Sequence, residues 1–160
     1  MCKEYVKTVE DEIDWKVIDQ LHSATLNFSN TSLELKKLYF VLVGIAVPSL
    51  IKLAHDKLDI SLFVTLYLLT ITFWFLDSYT YFYQEKLREK MDKHFNSIKN
   101  RNKDTIIIPE NSTVEITIEA SRKSENRLWR SISNVSVRLY FIFLLLNSFA
   151  LFLFLNDIIK

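Results

Sequence analysis

Three apolar runs, Leu38–Ala54, Ile60–Leu76 and Leu139–Leu155, constrain this chain more than any other feature. The last reads LYFIFLLLNSFALFLFL and carries no charge. As a helix rising 1.5 Å per residue it reaches roughly 25 Å, enough for a thin bilayer core with charged flanks. A charge at mid-bilayer costs on the order of 3 kcal/mol or more, so such runs point to lipid rather than to the core of a soluble domain. Whole-chain averages hide this. With 160 residues, 24% of them charged, and a net charge of +1, the composition suits an ordinary soluble domain, yet the charges are segregated between the apolar runs. The expected fold is an all-α integral membrane protein with three transmembrane helices, cytosolic helical extensions and a small β-hairpin.

Lysine and arginine set the expected orientation. Residues 85–138 are rich in both, from Lys86, Arg88 and Lys90 to Arg127, Arg130 and Arg138, whereas the connection between the first two runs has only Lys52 and Lys57 and the end of the chain only Lys160. Positive residues near membrane ends stay cytoplasmic. The expected organisation is therefore a cytosolic amphipathic helix over 1–37, a transmembrane hairpin over 38–84, a cytosolic helix–hairpin–helix region over 85–138, and a third span with a short outer tail over 139–160. This places the chain in a bacterial inner membrane as a multi-pass protein, N-terminus cytosolic and C-terminus outside. The opening MCKEYVKTVEDEIDWK has no apolar segment of the signal-peptide kind, so no cleavable signal is expected. Cys2 is the only cysteine, which excludes a disulfide framework and a thiolate metal site.

Polar residues inside the runs are candidates for contacts. Asn147 and Ser148 sit at the centre of the third run, where an amide in lipid seeks a partner on another helix or on a second copy, worth roughly 1 kcal/mol. Asp77 closes the second run and Arg138 opens the third, which suggests an interfacial ion pair. Pro48 in the first run removes a backbone hydrogen bond and predicts a kink.

Outside the runs the pattern is helical. Trp74, Phe75, Tyr79, Tyr81, Phe82 and Tyr83 form an aromatic belt suited to the headgroup region. Leu87, Met91, Phe95 and Ile98 make one helical stripe and Leu128, Ile132, Val135 and Leu139 another, predicting an antiparallel pair in the cytosol. Between them, Val114, Ile116 and Ile118 alternate with polar residues, and Pro109–Ser112 offers a turn, predicting a hairpin over 105–119. Near the N-terminus Val9, Ile13, Val17 and Leu21 mark an apolar face widened by Trp15 and Ile18. Thr31 and Glu34 have capping-box spacing and predict a fresh helix running into the first span.

No catalytic signature is present. One glycine leaves little for a phosphate-cradling loop, and His22, His55 and His94 lie on separate segments, so no catalytic residue, metal site or cofactor is expected. Arg88 and His94 have the spacing of the Arg-x(4–6)-His element of HEPN ribonucleases, which the chain resembles over those seven residues; that likeness implies a membrane-tethered ribonuclease as an alternative. Arg122, Lys123, Arg127 and Arg130 are candidate contacts for a cytosolic protein, a nucleotide signal or anionic headgroups, while nucleic acid is not an expected partner.

The stretch FWFLDSYTYFYQEKLREKM, residues 73–91, resembles small bacterial membrane proteins that end a span in an aromatic-Leu-Asp-x-Tyr element, carried here by Phe75, Leu76, Asp77 and Tyr79 and followed by Gln84, Glu85 and Arg88. The overall plan resembles the SLATT-type effectors of anti-phage systems. The resemblance implies a non-enzymatic, oligomeric, pore-forming membrane effector released by a cytosolic signal. An accessory anchor for a soluble partner is the other reading.

Overall fold

The computed structural model describes residues 7–54, 58–102 and 127–159. In chain order these form α1 (Val9–Leu53), α2 (Ile60–Arg101), α3 (Arg127–Ile132), a 3₁₀ turn (Val135–Val137) and α4 (Arg138–Leu155).

Helix α1 starts where Thr8 accepts a hydrogen bond from the Asp11 amide at 3.1 Å, with Glu10, Asp11 and Glu12 in the first turn facing the positive end of the helix dipole. It then runs without a break to Leu53, passing Pro48. The fresh helix expected at Thr31 does not occur. Thr31 Oγ1 instead donates to the Asn27 carbonyl at 2.9 Å, and Glu34 pairs with Lys37 at 2.7 Å, so both side chains serve the interior of one helix.

α1 and α2 pack antiparallel through seams of heptad period. On α1 the buried residues are Asp11, Ile18, Thr25 and Tyr39, with Ser32 filling the gap in the series through its contact with Asp77. On α2, Phe63, Thr70, Asp77 and Gln84 recur at the same interval and are buried. A seam repeating every seventh residue keeps one face of each helix against the other along its length. The register is continuous: Trp15 meets Phe95 edge to face at 5.6 Å, Phe28 stacks on Tyr83 at 5.7 Å, and the Tyr39 hydroxyl bonds Thr70 Oγ1 at 2.9 Å.

α4 closes the other end. It lies antiparallel to α2, with Phe154 against Phe63 (5.2 Å between ring centroids) and Tyr140 and Phe143 both against Tyr39 (5.4 Å each). Tyr39, Phe73, Val137 and Tyr140 form the core where α1, α2 and α4 meet.

Three expectations are corrected here. First, two helices, Ile60–Arg101 and Val135–Leu155, are long and apolar enough to cross a membrane, rather than three. The charge-free part of the first run lies between Lys37 and Lys52, about 14 residues or roughly 21 Å of helix, short of a ~30 Å hydrocarbon core. Second, among the described residues every element is helical and no strand occurs, while the hairpin expected over 105–119 lies outside them. Third, the partner of the α2 extension is α1. The stripe of Leu128, Ile132, Val135 and Leu139 is cut by the break between α3 and the 3₁₀ turn, and its first three residues are exposed. The N-terminal apolar face is also displaced: Val9 and Ile13 are exposed, and the seam takes Asp11 and Ile18.

Candidate functional site

The interior of this bundle is polar over much of its length, and its polar groups fall into three levels. At the level of the α1 N-terminus, Asp11 is fully buried. Arg101 Nε donates to Asp11 Oδ1 at 2.9 Å and Asn102 Nδ2 donates to Asp11 Oδ2 at 3.0 Å. Arg101 also pairs with Asp14, which bonds His94 Nδ1 at 2.7 Å. The Asn102 amide and the Arg101 guanidinium stabilise the carboxylate of Asp11 and hold its pKa down at about 2. Arg101, and after it His94, lower Asp14 in the same way, and the two aspartates raise Arg101.

At the middle level Asp77 is 2% exposed. Lys36 Nζ meets its Oδ2 at 2.6 Å, Ser32 donates to its Oδ1, and Lys36 Nζ also donates to Ser32 Oγ at 2.7 Å. Thr80 Oγ1 donates to the Asp77 carbonyl at 2.8 Å. A desolvated carboxylate needs this full set of donors, since a buried ion without partners costs several kcal/mol. About two and three turns further along α2, Glu85 pairs with Arg130 at 3.4 Å and Glu89 pairs with Arg127, whose guanidinium lies 5.7 Å from the centre of the Phe82 ring. These two pairs fasten α3 to α2.

At the apolar end the contacts are neutral. Asn147 Nδ2 donates to the Phe63 carbonyl at 3.1 Å, and the Tyr67 and Ser148 hydroxyls bond at 2.6 Å. A helix backbone carbonyl rarely has a side-chain donor to spare in an apolar setting, and Asn147 supplies one.

The sequence-derived candidates distribute as follows. Asn147 and Ser148 do bond across helices, both to α2 of the same chain. Asp77 is held by Lys36 and Ser32 and makes no ion pair with Arg138, which is exposed on α4. Arg127 and Arg130 are engaged by Glu89 and Glu85, so their charges are offset within the fold. Arg122 and Lys123 lie outside the described residues. His94 is engaged by Asp14 on α1, and no hydrogen bond joins it to Arg88. Among the described residues no cluster of three His, Cys, Asp or Glu is placed to hold a metal ion.

The residues missed were Lys36, Ser32, Asp11 and Arg101. Their signal was present as a heptad of mostly polar residues (Asp11, Thr25 and Ser32 on α1; Thr70, Asp77 and Gln84 on α2), which a search for apolar periodicity passes over.

No family model, curated protein or solved structure matches the chain.

Proposed function

We propose that this chain is a non-enzymatic effector of the bacterial inner membrane, of the anti-phage defence type, which perturbs or permeabilises the bilayer as an oligomer when a cytosolic signal acts on its charged end. The observation that carries this reading is the inverted polarity of the bundle. Charged and hydroxyl side chains run down its inside from Asp11 to Asn147, while Val64, Leu68, Phe75, Phe141, Leu145 and Phe152 stand exposed on its outside. In the two windows apolar enough to cross a membrane, only 28% and 17% of residues are buried, where the core helix of a soluble protein would be mostly buried. Lipid is the solvent that makes such a surface stable.

On this reading the charged level of Asp11, Arg101 and Asn102 faces the cytosol, the side that the lysines and arginines of residues 85–138 favour. A signal bound at the charged level reaches the apolar end along two uninterrupted helices, through a seam whose polar members favour one register over its neighbours. The likeness of residues 73–91 to small bacterial membrane proteins, and of the general plan to SLATT-type effectors, supports the defence assignment.

A second reading, an accessory anchor for a soluble partner, draws on Val9 and Ile13, apolar residues 75% and 56% exposed at the charged level, away from the apolar end. Membrane potential in cells expressing the chain separates the two. Depolarisation that is lost in Lys36→Met, with the variant still in the membrane fraction, supports the effector. Unchanged potential at every expression level, with a protein copurifying through Val9 and Ile13, supports the anchor.

A further inference from the structure

α2 and α3 enclose a groove of about 370 Å³ lined by Ile71, Trp74, Phe75, Ser78, Tyr79, Phe82, Leu128, Ser131 and Ile132. Small-molecule sites have volumes of ~300–1,000 Å³, mostly apolar walls and a few polar groups, and this groove fits that description. Its rim is set by two attachments: Trp74 Nε1 donates to the Ile132 carbonyl at 3.4 Å, and Arg127 binds Glu89. Ser131 Oγ is already used, donating to the Arg127 carbonyl at 2.7 Å. Ser78 is 7% exposed and its hydroxyl has no hydrogen-bond partner in the protein. Its oxygen is sealed beneath the wall, so the surface the groove offers an occupant is almost wholly apolar.

We infer that the groove binds one acyl chain of a bilayer phospholipid along its apolar wall; this rests on the membrane reading above. Three features select this occupant over a protein segment. No charged residue lines the groove and its wall is almost wholly apolar, so an extended peptide would bury backbone N–H and C=O groups there without partners. Ile71 and Phe75, 48% and 69% exposed, carry the wall directly onto the outward face of the apolar part of α2, so a chain enters from the lipid without crossing water. Trp74, Tyr79 and Phe82 place the groove at the aromatic belt, the depth at which ester groups lie.

The test uses Trp74 as reporter. Full-length protein carrying Trp15→Phe and Trp129→Phe has Trp74 as its one tryptophan and is reconstituted in phosphatidylcholine vesicles with or without bromine on the acyl chains. Brominated chains quench Trp74 strongly, and Ser131→Leu, which fills the groove, reduces that quenching to roughly half or less, because a pocket holds its ligand against the lining rings. Ile132→Phe fills the groove from an exposed rim position and replaces Ser131→Leu if circular dichroism shows that variant unfolded. Equal quenching with the groove open and filled overturns the proposal, as does a crosslink from Phe75 to a second copy. A protein that does not float with vesicles overturns the membrane reading instead, so the two failures are distinct.

Discussion

Asp77 is the residue whose environment leaves least freedom. It is 2% exposed, in contact with Lys36, Ser32 and Thr80, and every oxygen has a donor. Removing one member of a buried ion pair strands the other, at a cost of about 3–5 kcal/mol, whereas replacing both by apolar groups of similar volume is often neutral. Lys36→Met is therefore expected to lower the unfolding temperature sharply, and Lys36→Met with Asp77→Leu to recover most of the loss, as read by thermal unfolding in detergent. Exchanging the charges through Asp77→Arg and Arg138→Asp gives no recovery, because Arg138 is not the partner. Asn147→Leu removes a bond to the Phe63 carbonyl and costs about 1 kcal/mol, an effect softened because Asn147 Oδ1 has no partner of its own to lose. That Asp77 and Asn147 require partners was legible in the sequence, since polar groups in apolar runs have few alternatives. Which partners they take was not, because Lys36 and Phe63 are distant in the chain and are brought in by helix register.

At the scale of the helix, α1 and α2 are locked at their charged ends by Asp11, Asp14, His94, Arg101 and Asn102. Asp11 has its pKa depressed from 3.8 to about 2 in the fold. A depressed carboxylate contributes stability that is complete above its unfolded value and disappears as pH falls through the folded one. The protection factors of amides in the first turns of α1 and the last turn of α2, with intrinsic exchange at each pH divided out, are expected to be constant above about pH 5 and to fall as the pH drops through 4 toward 2. Arg101→Gln with Asn102→Ala flattens that profile, because Asn102 and Arg101 are the groups that hold Asp11 down and Arg101 is the first that holds Asp14. A profile unchanged by the double substitution would remove the network from any part in holding the helices together. The heptad seam explains why α1 stays one helix across Thr31 and Glu34: a break there would put Ser32 and Lys36 out of reach of Asp77, and the cap that Thr31 and Glu34 could form is weaker than those contacts to a buried carboxylate.

For the molecule as a whole, the distinguishing property is a large exposed apolar surface on α2 and α4, with isolated polar side chains such as Thr70, Asp77 and Asn147 buried between the helices. Leu145 is 57% exposed on α4, so in a water-soluble protein Leu145→Arg would be nearly neutral. Facing lipid near the middle of a span, the same change costs about 2.5–3.5 kcal/mol of insertion, and the variant is expected to leave the membrane fraction or accumulate poorly while Val9→Arg behaves as wild type. Equal membrane recovery of Leu145→Arg and wild type would argue that the apolar face meets protein instead. The chain's own order of residues determined that it is helical, that its charges and apolar residues separate into two ends, and that Ile60 onward and the segment up to Leu155 are apolar enough to span lipid, since these depend on local period and local composition. Only the tertiary structure decided that α1 covers the α2 extension to its end while α3 reaches only its first turns, that Lys36 rather than Arg138 neutralises Asp77, and that Arg127 and Arg130 are engaged by Glu89 and Glu85. Those outcomes depend on which faces meet, and here the meeting faces are marked by a polar heptad whose energy is realised only when both helices are in register.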